Sequence, residues 1–126
     1  MFKSPQAILA AWLDFVSAGE ADRLLELYAE GSVLVPTFSE KILNDRAGIE
    51  AYFLGLSKRG VARVTLKEGT LNVLELANGV FALAGLYDWK FQDGELVKAR
   101  FTFTVNVHKA SPITHHHSSV LPRSDT

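Results

Sequence analysis

The hydrophobic pattern of the chain changes its period once, near residue 60. In the first half, apolar residues recur every three to four positions, which is typical of helices that bury one side. Ser4 and Pro5 predict the start of the first helix, because a serine side chain can cap a helix and proline's missing N–H costs nothing in the first turn. The apolar stripe runs to Gly19, which predicts the end of this helix.

Two further helices and a strand are predicted before residue 60. A short helix is expected over about 20–28. The segment SVLVPTFSEK (32–41) favours a short strand that runs into a loop, since proline lacks the donor that a central strand needs. Asn44 or Asp45 predicts the cap of the third helix, and Gly60 predicts its end.

After residue 60 the apolar positions alternate, which predicts antiparallel strands joined by tight turns. Asn78-Gly79 and Asp93-Gly94 are dipeptides that tolerate positive φ and suit two-residue hairpins. A phase change at Gly69-Thr70 indicates a bulge in the first strand. The expected strands cover 62–77, 80–91, 95–108 and 113–121.

Helices followed by antiparallel strands form an α+β layout. We expect a cone, in which three N-terminal helices pack on one face of a long, curved antiparallel sheet and enclose an interior. One domain is expected over 1–122, with a disordered tail at 123–126.

The composition restricts the classes of partner that this domain is expected to bind. The 126 residues are 48% hydrophobic and 21% charged, with a formal net charge of -1. This balance supports neither a nucleic-acid partner nor a charged membrane surface, and no segment reaches transmembrane length. The chain has no cysteine, which removes disulfides and thiolate metal sites and favours a cytoplasmic location. No cofactor is expected.

The strand predicted over 95–108 shows which side of the sheet is covered. Its odd positions from 97 to 107 are all apolar, whereas its even positions from 98 to 106 are polar. Side chains two residues apart lie on the same face of a strand, so the odd face is the covered one.

The last strand contains three consecutive histidines, and its register decides which of them face the interior. The register that matches apolar residues across the ladder turns His115 and His117 inward, opposite Val105 and Phe103, and His116 outward. A one-residue slip in the turn at 108–112 reverses the assignment, so both orientations remain open at this point.

The histidines permit several chemistries. An inward His117 or His115 could act as a general base, with Asp88 as a charged partner. A His-x-His pair on one strand face supplies two metal ligands, but a third ligand is lacking, so no metal site is expected. The same side chains can equally be hydrogen-bonded groups of a core or an interface.

The length of the turn at Asp93-Gly94 decides which side chains of the preceding strand, predicted over 80–91, lie on the covered face of the sheet. A two-residue turn would place Asp88 opposite Ala99 on the covered face, where a carboxylate is uncommon. It would turn the neighbouring aromatic side chains outward, onto a surface suited to packing against another sheet. The predicted oligomer face consists of Tyr87, Trp89, Arg100, Thr102 and His116.

The order of elements and several motifs resemble a known fold. VLVPTFSEK, RAGIEAYF, ARFTFTV and ITHHHSSVLP resemble segments of the nuclear-transport-factor-2-like cone fold. Within it, the chain is most similar to small proteins related to the association domain of calcium/calmodulin-dependent protein kinase II. The resemblance implies a homodimer or larger homo-oligomer joined through outer sheet faces, and a cavity between helices and sheet. The resemblance does not identify a reaction, because isomerases, dehydratases, cyclases and assembly domains all have this cone fold.

Three functions remain open from the sequence. The first is a small-molecule-binding or oligomerisation module. Its pocket is expected to be lined by His115, His117, Phe101, Phe103, Trp12, Phe38 and Tyr52. The second is an isomerase, dehydratase or cyclase-type enzyme, in which His117 or His115 moves a proton next to a carbonyl and Asp88 or a tyrosine orients or polarises the substrate. The third is a purely structural oligomer with a closely packed interior.

Overall fold

The computed structural model describes residues 2–123, in which three helices pack on one six-stranded sheet. The helices are α1 Pro5–Ser17, α2 Ala21–Leu27 and α3 Arg46–Arg59. The strands are β1 Tyr28–Val35, β2 Val61–Leu66, β3 Asn72–Ala77, β4 Val80–Phe91, β5 Leu96–Asn106 and β6 Ile113–Val120. Apart from residue 123, the predicted tail lies outside the described residues.

The helix ends follow the capping residues of the sequence. The Ser4 side chain accepts a hydrogen bond from the Ala7 amide at 3.1 Å, and the Asp45 side chain accepts one from the Gly48 amide at 2.7 Å. Gly60 ends α3 with a φ of 91°, which glycine adopts without steric cost. The three predicted helices are confirmed, and none of those within residues 2–123 is long and apolar enough to cross a membrane.

The sheet has the strand order β1-β6-β5-β4-β2, with β3 also paired to β4. All pairs are antiparallel except β1 with β6, which is parallel. The predicted α+β fold is therefore confirmed. The parallel pairing of β1 was not predicted, because periodicity carries no information about which distant strands become neighbours.

The strand predicted over 62–77 is two strands that pair with different parts of β4. Between them, the Lys67 amide donates to the Leu86 carbonyl at 2.9 Å, and the Thr70 hydroxyl accepts from the Leu86 amide at 3.1 Å. The predicted irregularity at Gly69-Thr70 is thus a break in the strand, with a side chain replacing the missing ladder bond.

The odd face of β5 is the covered face, as predicted. Its buried members are Ala99, Phe101, Phe103 and Val105. Helix α1 lies across this face, and its Trp12 ring contacts Phe103 edge-on at 5.6 Å between centroids. The core therefore sits between α1 and the sheet.

The turn between β4 and β5 has three residues in place of the predicted two. The Phe91 amide donates to the Glu95 carbonyl at 2.9 Å, and the Gly94 amide donates to the Phe91 carbonyl at 2.9 Å. Gly94 has a φ of 93°, as three-residue hairpin loops require at this position. The extra residue shifts the whole of β4 by one position against β5.

This shift reverses the predicted faces of β4, and that prediction is wrong. Tyr87 pairs with Ala99 and lies on the covered face, as does Trp89, and both side chains are buried. Asp88 pairs with Lys98 on the opposite face. A slip of one residue moves every side chain of a strand to the other side of the sheet.

The register of β6 is also displaced by one residue from the predicted one. Phe103 pairs with His116, Thr102 with His117 and Thr104 with His115, and the register shifts immediately afterwards. The prediction that His115 and His117 face inward is therefore wrong. His116 is the inward histidine and is 2% exposed.

We expect substitutions in β4 to follow the observed register. Trp89→Ala should lower the free energy of unfolding by about 3–5 kcal/mol, because it removes a large buried ring. Asp88→Ala, one residue away on the other face, should change it by less than about 0.5 kcal/mol. Urea denaturation measures both values, and a larger loss for Asp88→Ala would contradict the register.

Candidate functional site

The His116 imidazole is held between two tyrosines in the interior. Its Nδ1 lies 2.7 Å from the hydroxyl of Tyr28, at the start of β1. Its Nε2 lies 3.3 Å from the hydroxyl of Tyr87, on β4. Both ring nitrogens therefore have partners, and the imidazole connects β1 with β4 across the inner face of the sheet.

One arrangement of protons gives every donor in this network an acceptor. The indole N–H of Trp12 donates to the Tyr28 hydroxyl at 3.0 Å. Tyr28 then donates to Nδ1 of His116, and the imidazole proton lies on Nε2. This proton is donated to the oxygen of Tyr87.

The network continues from Tyr87 toward the loop that follows β1. Tyr87 donates to the hydroxyl of Ser118 at 2.6 Å, and Ser118 is hydrogen-bonded to Thr37. The Thr37 side chain also hydrogen-bonds to Tyr52, so the network reaches α3. Nearby, the Tyr52 hydroxyl accepts from the Phe38 amide at 3.3 Å.

Burial keeps the whole network uncharged. Desolvation lowers the pKa of His116 well below 6.5, and the neighbouring His115 and His117 lower it further. Desolvation also raises the pKa values of Tyr28 and Tyr87 well above 10. The Tyr52 pKa is raised to about 12, again chiefly by burial, with hydrogen bonds from Phe38 and Thr37 acting against it. At neutral pH the site offers neutral hydrogen-bonding groups.

Aromatic rings surround the network on all sides. The His116 ring stacks on Phe103 at 3.8 Å between centroids and meets Trp12 edge-on at 5.3 Å. Trp12 also stacks on Tyr87 at 5.6 Å and contacts Trp89 at 5.9 Å. These contacts fix the position of the imidazole by packing as well as by hydrogen bonds.

A narrow gap lies beside the network and is too small to hold a water molecule. It is lined by Trp12, Leu34, Pro36, Thr37, Tyr52, Phe53, Trp89, His116 and Ser118. Among residues 2–123, the indole N–H of Trp89 finds no acceptor at hydrogen-bond geometry. It comes near enough to Tyr87 to lower the pKa of that phenol slightly.

The structure brings together only part of the predicted pocket. Trp12 and Tyr52 line the gap, and Phe101 and Phe103 belong to the same buried core. Phe38 packs against Trp89 at 5.1 Å. His115 and His117 are excluded from this group because they point away from the helices.

Sequence reasoning placed His116, Tyr87 and Trp89 on the outer face, and it did not include Tyr28, Thr37 and Ser118 in the pocket. A signal for the inward position of Tyr87 and Trp89 was present. The odd positions of β4 carry all of its aromatic rings, including Tyr87 and Trp89, whereas Asp88 and Lys90 occupy even positions. Such alternation indicates an inward odd face. The pairing of Tyr28 with β6 had no comparable signal.

The side of the sheet that faces away from the helices is called the uncovered face. It is formed by the even positions of β4 and β5 and by the odd positions of β6 from His115 to Ser119. Arg100 and Thr102, two members of the predicted oligomer face, are exposed on it. Tyr87, Trp89 and His116 are not, because they are buried. A shallow depression of about 470 Å³ lies on this face, with Thr102 and His117 in its lining.

Acidic and histidine side chains do not converge on either face. Asp88 pairs with Lys98 in the ladder, far along the sheet from His117, which pairs with Thr102. Within residues 2–123, no three histidine or carboxylate side chains form a group that could hold a metal ion.

We expect His116 to make stability depend on pH. Between its lowered folded pKa and about 6.5, the unfolded chain binds one proton more than the folded chain. The free energy of unfolding should therefore decrease as the pH is lowered from about 6.5 to 5, by up to about 1.4 kcal/mol per pH unit. Urea denaturation at several pH values measures the slope.

The His116→Gln variant should lose this dependence of the free energy of unfolding on pH. The His117→Gln variant, which changes an exposed histidine, should keep it. Equal slopes for the wild-type protein and His116→Gln would show that the buried imidazole does not resist protonation.

Neither a protein-family model nor a curated protein matches the sequence. Solved structures do match it. A Xanthomonas campestris protein, provisionally named a calcium/calmodulin dependent protein kinase II association domain, is 27% identical with a TM-score of 0.82. The match covers 94% of this chain and 86% of that chain.

Two further structures are similar at lower identity. A Thiobacillus denitrificans protein, provisionally named as the association domain of the same kinase type, is 16% identical with a TM-score of 0.78, covering 97% of this chain and 98% of that one. A Streptomyces avermitilis protein, provisionally named a dehydratase of the nuclear-transport-factor-2-like family, is 12% identical with a TM-score of 0.76, covering 92% of both chains. The chain therefore has the nuclear-transport-factor-2-like fold, and its structural neighbours include proteins similar to the kinase II association domain.

Proposed function

We propose that this chain is an assembly module that pairs with a second copy of itself through the uncovered face. The observation that carries the proposal is the distribution of charge on this face. Ala82, Ala84, Leu86, Thr102, Thr104, His115 and His117 form a neutral region, into which Leu74 of β3 extends. The side chains of Asp88, Lys90 and Lys98 lie toward the end of the sheet near the turn at 91–95, and Arg100 borders the neutral region beside Leu86.

This arrangement has the anatomy of a protein interface. Interfaces that persist have centres depleted of charge and rims that are polar. Leu74 is 62% exposed within the neutral region. The charged end contains both signs, so a second copy related by a two-fold axis can place unlike charges opposite each other.

A specific observation favours a second function, the binding of a small molecule in the interior. Trp89 lines the gap beside His116, and its indole N–H has no acceptor among residues 2–123. An unpaired buried donor costs free energy that a suitable ligand would recover. The gap is too small for a water molecule, so such a ligand has to displace part of the lining.

The geometry gives less support to the isomerase, dehydratase or cyclase alternative. The predicted bases His115 and His117 lie on the uncovered face with Asp88. A general base needs an available lone pair beside the substrate. His116 is the histidine in the interior, and its Nδ1 lone pair is occupied by the Tyr28 hydroxyl. We therefore favour assembly and binding over catalysis. A cytoplasmic location stays a prediction.

Two exposed leucines allow a matched test of assembly. Leu74→Glu should raise the dissociation constant of the dimer by at least about tenfold, because it places a charge in the neutral region. Leu54→Glu makes the same change on α3, where the side chain is 45% exposed, and should leave the constant unchanged. Sedimentation equilibrium measures both. A monomeric wild-type protein, or equal effects of the two changes, would contradict the proposal.

A further inference from the structure

We propose that the depression on the uncovered face binds a small organic acid, whose carboxylate pairs with Arg100 and whose ring-sized apolar body lies over Ala84 and Leu86. This ligand site goes beyond the proposed assembly and does not rest on it, because all of its residues belong to one chain. The inference follows from the shape of the depression, from the unpaired charge of Arg100 and from the donors beside it.

The depression has a low floor because a small side chain stands in the middle of the sheet. Ala84 of β4 pairs with Asn72 of β3 on one side and with Thr102 of β5 on the other. Thr102 in turn pairs with His117 of β6, so this row crosses four strands. Larger side chains therefore stand on both sides of the Ala84 methyl group.

The next row along the strands forms one wall of the depression. Leu86 pairs with Arg100 there, and both line a space of about 470 Å³. Since an enclosed apolar cavity of about 150 Å³ already holds benzene, a ring-sized body fits within the depression without standing out from the face. A bound ring therefore leaves the surrounding neutral region available to a second copy.

Arg100 brings a positive charge to the depression without a carboxylate to balance it. Its Nε donates to the Ser119 hydroxyl at 3.4 Å, and no carboxylate among residues 2–123 lies within ion-pair distance of its guanidinium. Asp88, the acidic side chain of β4 on this face, pairs with Lys98 in the ladder. A guanidinium presents a planar fork of N–H donors that matches the two oxygens of a carboxylate.

Further donors stand beside this guanidinium. Because the Ser119 hydroxyl accepts from Arg100, its own proton remains available to another acceptor. His117 lies two residues from Ser119 on β6 and diagonally opposite Arg100, within the reach of long side chains on a sheet. Its imidazole carries at least one N–H. In the part of the chain that the structure describes, no acidic side chain lines the depression.

The combination of charge and apolar surface selects the ligand class. A neutral ring would leave the guanidinium without a counter-ion, and a small inorganic anion would leave the apolar floor in contact with water. An organic acid meets both requirements, since its carboxylate forms charge-assisted hydrogen bonds and its ring removes Ala84 and Leu86 from water. On the uncovered face of β4 to β6, basic side chains outnumber acidic ones, which also favours an anion.

The test titrates benzoate into the wild-type protein and follows the backbone amides of the lining and the Arg100 Nε–H by NMR. Benzamide has the same ring without the charge, and acetate has the charge without the ring. Arg100→Gln removes the guanidinium, and its matched control is Lys98→Gln, on the same strand and face but outside the lining. Ala84→Leu fills the floor, and its control Ala82→Leu adds the same bulk two residues away on β4.

We expect benzoate to bind at least about tenfold more tightly than benzamide or acetate, which is the scale of one charge-assisted hydrogen bond. Arg100→Gln and Ala84→Leu should each weaken benzoate binding by at least about tenfold. Lys98→Gln and Ala82→Leu should each weaken it by less than about twofold, because exposed charges and side chains outside the contact contribute little.

The proposal would be overturned by the absence of saturable benzoate binding to the folded wild-type protein, or by equal binding of benzamide or acetate. Equal losses within either matched pair of variants would overturn it as well. None of these results bears on the proposed assembly, because Leu74→Glu tests pairing without any ligand.

Discussion

The side-chain register of two hairpins decides what each face of this sheet can do. Because the period of a strand is two, one residue in each connection determines which side chains of β4 and β6 meet the helices. The three-residue turn before Glu95 turns Tyr87 inward, and the shift beyond Thr104 turns His116 inward. With both changes, a hydrogen-bonded polar network forms under α1, and two histidines remain on the uncovered face.

The inward register makes the interior polar but uncharged. His116 bridges strands that are distant in the sequence, since its partners Tyr28 and Tyr87 lie on β1 and β4. The members of this network bond to one another, from Trp12 to Thr37. The protein thus has a neutral polar network on one side of the sheet and a region without charged side chains on the other. The neutrality of the interior follows from burial without counter-charges.

The sequence carried enough information for the fold and too little for the site. Capping residues such as Ser4 and Asp45, together with the odd apolar face of β5, are local signals, and the structure confirms them. An Asp-Gly pair suits turns of two or three residues, so it marks the hairpin without deciding its register. The site depends on that register and on the pairing of β1 with β6, which is a contact between distant segments.

The most direct test of this account is histidine-resolved NMR, recorded from pH 5.5 to 8 at low and high protein concentration. We predict that the His116 ring stays neutral throughout, with its proton on Nε2. The signals of His115 and His117 should shift with protein concentration as the uncovered faces meet. A His116 ring that takes up a proton in this pH range would contradict the buried network, and signals of His115 and His117 that do not change with concentration would contradict the assembly face.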